Sequence, residues 1–147
     1  MEVSILNKVD EEALAAFERL VPQLSTTAKV PTREEVEAMV NSDSSIVLVA
    51  RDEAQNGKIV GSLTLIVFRV PTGIRAWIED VVVDPAERGR GIGEDLTRFA
   101  LEEARRRGAK TVDLTSRPSR EAANRLYVRV GFYLRQSNLY RYDLAKS

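Results

Sequence analysis

The chain has 147 residues, 44% of them hydrophobic and 30% charged, enough to build one ordinary core. Lysine plus arginine and aspartate plus glutamate stand at 22 each, so no global field draws the chain to nucleic acid, and a small-molecule or peptide partner fits better. Cysteine and histidine are both absent, which excludes a thiol nucleophile, a disulfide framework, a Ser-His-Asp triad and the usual zinc ligand sets, and no metal is expected.

Residues 2–6 alternate weakly and read as a first strand. Asp10 offers an N-cap, after which Ala13, Leu14, Phe17, Leu20 and Val21 recur at helical spacing until Pro22. Thr32 and Glu35 have the spacing of a capping box, with Val36, Met39 and Val40 on the apolar face of a second helix. The polar stretch 25–31 between the two helices is either a wall of a binding site or a plain connector. Residues 46–50 and 59–68 are strands joined through Asn56-Gly57, a hairpin signal. After the turn at 71–73 a third strand, 76–83, completes an antiparallel meander. Alternation along it puts Trp77, Glu79, Val81 and Val83 on one face and Ile78, Asp80 and Val82 on the other.

Val81, Val82 and Val83 then run into Asp84-Pro85, and Arg88, Gly89, Arg90, Gly91, Ile92, Gly93 and Glu94 lead into a helix from about 93 to 107. A glycine-rich turn between strand and helix presents backbone N–H groups at the positive end of the helix dipole, a receptor for phosphate or pyrophosphate. The dinucleotide fingerprint G-x-G-x-x-G read from Gly89 needs glycine where Glu94 stands, and the P-loop needs a Gly-Lys-Ser/Thr that the chain lacks. The bland alternative is a turn that only makes a sharp corner. Within the helix Leu96, Phe99, Ala100 and Ala104 face inward. Arg105, Arg106 and Arg107 suit its C-terminal dipole better than they suit a nucleic-acid patch, and Gly108 ends it. Residues 112–114 form a short strand reached by this helical crossover and therefore parallel to 76–83. A helix over about 119–130 and closing strands at 132–134 and 140–144 follow.

The R-x-x-G-x-G pattern at 88–93 and the run EAANRLYVRVGF at 121–132 occur in one order at one separation. In the second run Ala123, Tyr127, Gly131 and Phe132 hold the register of N-x-x-A-x-x-x-Y before a Gly-Phe pair. Together these motifs resemble the GNAT superfamily of acetyl-CoA-dependent N-acetyltransferases, strongly over 78–132 and elsewhere by the order of elements. One departure stands out: Arg120 occupies the place of an asparagine that touches the cofactor in many members, while Asn124 follows one turn later.

The resemblance implies one domain over 1–147, a mixed α/β fold with a mostly antiparallel sheet of six to seven strands and about four helices, in the order β-α-α-β-β-β-α-β-α-β-β. It implies acetyl-CoA as co-substrate, held by the backbone of Val81, Val82 and Val83, by residues 88–94, and by Arg120, Asn124 and Tyr127. It places Glu79 in the acceptor site, as a base acting through water or as a cation ligand; a structural ion pair is the alternative. Asp80 and Trp77 either touch the acceptor or serve the scaffold. Tyr127 is implied as the general acid for the leaving thiolate, a phenol of pKa about 10 being matched to that task. The expected reaction is direct acetyl transfer to a primary amine of a small molecule or peptide. The rival readings are a CoA-binding regulatory module without chemistry and a purely structural α/β domain. Dimerisation is common for this architecture. No cleavable-signal pattern opens the chain and no apolar run approaches the roughly 20 residues that span a bilayer, so a cytoplasmic location is expected.

Overall fold

The computed structural model describes residues 1–145, in two compact units: Met1–Thr115, and the residues from Ser116 on. The first unit is built on a five-stranded sheet in the order β1 (Glu2–Ile5), β2 (Ser45–Asp52), β3 (Lys58–Val70), β4 (Gly73–Val83) and β5 (Val112–Asp113). All neighbours are antiparallel except β4 and β5, which run parallel as the crossover requires. The unit also holds α1 (Glu11–Leu24), α2 (Arg33–Val40) and α3 (Ile92–Arg106), and the second unit contains α4 (Glu121–Val130). The sheet thus has fewer strands than expected. Residues 132–134 and 140–144 carry alternating apolar side chains, yet Tyr133, Leu134, Tyr140, Tyr142 and Leu144 are exposed and join no ladder among the described residues. Alternation makes a strand only where an edge takes up its backbone hydrogen bonds.

Helix boundaries follow local chemistry. Asp10 Oδ1 accepts the Ala13 N–H at 2.8 Å and opens α1. The helix passes Pro22 and ends at Leu24, because a proline so near the C-terminus forfeits one hydrogen bond while the Ser25 N–H still closes on the Val21 carbonyl at 3.2 Å. At α2 the capping box is complete: Thr32 Oγ1 accepts from the Glu35 amide at 3.2 Å and Glu35 Oε1 from the Thr32 amide at 2.9 Å.

Each face of the sheet has its own cover. Ala13, Ala16 and Leu20 of α1 join Val47, Val49, Ile59 and Val82 in one buried cluster, with Phe17, Met39 and Val40 against it. The alternate residues Leu48, Leu63, Leu65 and Ile78 are buried on the other face, where α3 supplies Ile92, Leu96 and Ala100. Gly61 permits close seating of α3: a Cβ there would stand 3.1 Å from Ile92 and 3.2 Å from Leu96. The start of α3 is thereby fixed on the middle of the sheet.

The strand β4 departs from simple alternation. Thr64 pairs with Glu79 and Ser62 with Val82, so β4 spends one residue more than β3 over this stretch, a β-bulge at which Asp80 takes φ 51. Aspartate tolerates this left-handed conformation better than most residues. Thr64 and Ser62 lie on one face of β3, so their partners Glu79 and Val82 lie on one face of β4. Val82, rather than Val81 and Val83, therefore joins Trp77 and Glu79 on the α1 side. Asp80 does not turn inward with Ile78; it is exposed. On the other edge of β4, β5 pairs only with Ala76 and Trp77, so residues 78–83 extend past that ladder.

Candidate functional site

Three features of the first unit converge on the expected anion receptor. Asp84 ends β4 and caps a single 3-10 turn, Pro85–Glu87, by accepting the Ala86 N–H at 3.0 Å. Gly89 and Gly91 then adopt φ 84 and 76, conformations open to glycine at little cost, and a Cβ at either would meet nothing within 4 Å. Gly91 is the N-cap of α3 and no side chain caps that helix. The first-turn amides of Ile92 and Gly93 are orphans by helix geometry and carry the positive end of the dipole. Space and uncapped amide donors coincide at residues 89–93, at the positive end of the helix dipole. An anion fits them through the backbone alone.

The two arginines of the loop differ. Arg88 is exposed and makes no hydrogen bond or ion pair among the described residues. Arg90 is committed: its Nη1 lies 3.0 Å from Asp52 Oδ2 and also pairs with Glu87. Gln55 Nε2 donates to Asp52 Oδ2 at 2.7 Å and to Glu87 Oε1 at 2.9 Å, joining the two carboxylates. The Asp52 side chain is only 6% exposed, against 44% for Arg90, so the buried partner belongs to the hairpin and the more exposed one to the loop. Asp52, Gln55 and Glu87 were not legible as site residues, since Asp52 and Arg90 are 38 positions apart and no motif links them.

The hydrogen bond from Gln55, and then that from Arg90, hold the Asp52 carboxyl down from 3.8 to about 2. A folded-state pKa below the unfolded one means that this charge favours folding fully above about pH 4 and that the gain is lost as pH falls toward 2. Melting temperatures of Asp52→Asn should accordingly fall less steeply than those of the wild type across that interval. Parallel curves would show that the carboxylate contributes nothing there.

On β4, Glu79 and Asp80 are both exposed and neither has a hydrogen-bond or ion-pair partner among the described residues. Glu79 therefore lacks the structural ion pair that was its alternative explanation. Trp77 is half-buried on the same face, opposite Ile66. The bulge at Asp80 and the missing β5 neighbour leave backbone groups around Val81 outside the regular ladders. A carboxylate, an aromatic ring and a strand edge running past the β5 ladder thus share one stretch of strand.

The second unit holds the remaining candidates. Arg120 is the N-cap of α4 but supplies no side-chain cap, and an arginine, having no acceptor, cannot. Asn124 Nδ2 donates to the Arg117 carbonyl at 2.9 Å, so this amide braces the turn that precedes the helix. Tyr127 is buried, with its ring edge-on to Phe132 at 5.7 Å and 69°. Burial raises its phenol above the ordinary value of 10.0 and the Arg120 charge opposes that rise. Its hydroxyl makes no hydrogen bond among the described residues. These residues also include no cluster of acidic side chains able to hold a metal ion, and no helix long and apolar enough to cross a membrane.

Residues 8–132 match the model of the acetyltransferase (GNAT) family. The chain is 37% identical over 82 residues to the aminoalkylphosphonate N-acetyltransferase of Salmonella typhimurium, an alignment covering 53% of this chain and 52% of that protein. It is 38% identical over 90 residues to glucosamine 6-phosphate N-acetyltransferase 1 of Oryza sativa subsp. japonica, covering 59% of this chain and 52% of the relative. The chain spans about half the length of these two proteins. Among solved structures, an acetyltransferase of Trypanosoma brucei superposes with a TM-score of 0.78 at 27% identity, over 97% of this chain and 99% of that one.

Proposed function

The chain belongs to the GNAT acetyltransferase family, and on that premise we propose that it moves an acetyl group from acetyl-CoA to a primary amine of a small molecule or peptide, directly, within a ternary complex. The observation that carries this reading is the uncapped start of α3 behind two left-handed glycines with open space above them. In this proposal the backbone of residues 88–94 receives the pyrophosphate, with Arg88 adding charge. The backbone of Val81, Val82 and Val83 orients the pantetheine arm and the thioester carbonyl, and an N–H there stabilises the negative charge that develops on the carbonyl oxygen. Arg120 and Asn124 are, by family resemblance, further candidates for cofactor contact. Acetyl-CoA supplies the acyl group and a thiolate leaving group.

Glu79 takes the proton of the incoming ammonium, directly or through water, so that the free amine forms the new C–N bond as the C–S bond breaks. Tyr127 gives a proton to the departing sulfur and regains one, through solvent, from the acylated nitrogen, so the products are an amide and the free thiol, with the first ammonium proton released from Glu79 to solvent. Trp77 walls the acceptor and Asp80 adds a second negative charge. Two unpaired carboxylates on β4 favour a cationic amine over one carrying phosphate, which sets the proposed acceptor apart from those in the names of the two relatives.

Incubating the protein with acetyl-CoA and a panel of polyamines, amino sugars, aminoglycosides and peptides, with thiol release as readout, tests the reading. Amine-dependent release supports it. Tight CoA binding without release for any amine would favour a silent binding module, and no CoA binding a structural domain.

Glu79→Gln separates the roles of the carboxylate. As a base it lowers kcat near neutral pH, and the deficit narrows as pH rises toward the pKa of a free alkylammonium near ~10.4. As a cation ligand it raises KM for the amine and leaves kcat nearly unchanged. Wild-type values of both parameters across the pH range would remove Glu79 from the site.

A further inference from the structure

We propose that Asp52 is a positioning residue for the acetyl-CoA loop: it holds Arg90, and through it the backbone between Gly89 and Gly91, so that Arg88 alone of the two arginines is left to meet phosphate. This rests on the acetyl-donor reading above and extends it to a residue outside the motif. Gly89 and Gly91 flank Arg90, both in left-handed conformations and both without neighbours within 4 Å of a Cβ position, so the loop has no packing of its own at either glycine. Glycine loses more conformational freedom on ordering than any other residue, and a receptor of backbone amides is useful only when ordered. The tie on Arg90 is what supplies that order.

The anchor is rigid. Asp52 is the last residue of β2, paired in register with Lys58 across the hairpin. Its Oδ1 accepts the Ala54 N–H at 3.0 Å and its carbonyl the Gly57 N–H at 3.0 Å. Gln55 bridges Asp52 to Glu87, which stands just before the loop. Hairpin turn and loop are thus joined at two points, Glu87 and Arg90. The electrostatics agree with this division of labour. One guanidinium between two carboxylates leaves a net charge of about −1, so Arg90 offers a phosphate no attraction, whereas Arg88 has no competing partner.

The decisive variant is Asp52→Asn, because the two roles open to Arg90 predict opposite signs. If Arg90 were a phosphate ligand restrained by Asp52, removing that carboxylate would free it and tighten CoA binding. If Asp52 positions the loop, the dissociation constant for CoA by calorimetry rises about tenfold, KM for acetyl-CoA rises with it, and kcat at saturating acetyl-CoA holds. Amide hydrogen exchange over residues 88–94 of the free protein also quickens. Arg90→Gln produces the same exchange signature, Arg90→Lys restores most of the protection, and Asp52→Asn/Arg90→Gln is no worse than Arg90→Gln alone. Arg88→Ala weakens CoA binding without altering exchange, by an amount that shrinks as salt is added. Tighter or unchanged CoA binding by a folded Asp52→Asn, or additive losses in the double variant, would overturn the proposal. Should the wild type itself fail to bind CoA, the acetyl-donor reading falls, and the exchange comparison still decides whether Asp52 orders the loop.

Discussion

Gly91→Val is expected to weaken acetyl-CoA binding by about a hundredfold while leaving a folded protein, a loss of about 2.7 kcal/mol. The loss does not come from crowding within the chain, since a Cβ at this position meets nothing within 4 Å. Two other terms produce it. At φ 76 an L-residue is disfavoured by roughly 1–2 kcal/mol, which biases the loop away from the conformation in which the first amides of α3 point into the open space. The branched side chain then occupies the volume through which a phosphate would approach those amides. Gly108→Val is the matching control: its φ of 84 has the same sign and nearly the same size, a Cβ there meets only Ile74 at 3.5 Å, and it lies beyond the C-terminal end of α3, away from the loop. It should lower the melting temperature comparably without touching CoA affinity. Calorimetry on both variants, with thermal melts to show that they fold, makes the comparison; equal affinity of Gly91→Val and wild type would sink the backbone-receptor reading.

Much of this architecture is legible in the sequence because the first four strands and three helices repeat with the periods their burial demands. Of Ala13, Leu14, Phe17, Leu20 and Val21 at helical spacing, Ala13 and Leu20 become fully buried on α1 and the other three partly so, with Ala16 added to the buried face, and Thr32 with Glu35 does form the capping box. The R-x-x-G-x-G run lands on a strand-to-helix turn, where Gly89 and Gly91 have the positive φ that favours glycine, while Gly93 lies in the first turn of α3. The bulge in β4 is the clearest miss. Ile78, Asp80 and Val82 alternate smoothly as letters, and nothing local shows that one residue of β4 has no counterpart on β3; only pairing with Ser62 and Thr64 reveals it. The closing strands failed for the converse reason. Residues 132–134 and 140–144 have the pattern of strands, but a pattern gives half of a strand and a paired edge the other half. Asp52 was invisible as well, since an aspartate at the end of a strand before a turn reads as an ordinary cap, and indeed it does accept the Ala54 amide. Its tie to Arg90 exists only in three dimensions.

Tyr127→Phe is expected to lower kcat by about 10²-fold with little change in stability or CoA affinity, the lower end of the range for a positioned acid. The ring stays edge-on to Phe132, an arrangement that the phenol oxygen does not make, and the hydroxyl has no hydrogen-bond partner among the described residues to lose. Folding therefore registers little and the reaction registers the change. Burial pushes the phenol above its ordinary value despite the opposing Arg120 charge, so it remains protonated at neutral pH and is a donor in waiting. The same shift makes it a more reluctant acid, so in the proposed role it would transfer its proton only as negative charge gathers on the departing sulfur. That coupling sets a second expectation. A donor whose thiol is more acidic needs less protonation as it leaves, so the deficit of Tyr127→Phe should narrow with such an analogue, whereas a variant that merely loosened the packing would be impaired equally with both donors. Pre-steady-state thiol release at saturating amine, compared for acetyl-CoA and the analogue, reads the difference. Full kcat in Tyr127→Phe with acetyl-CoA would return the residue to a packing role, the edge contact with Phe132 being its sufficient explanation.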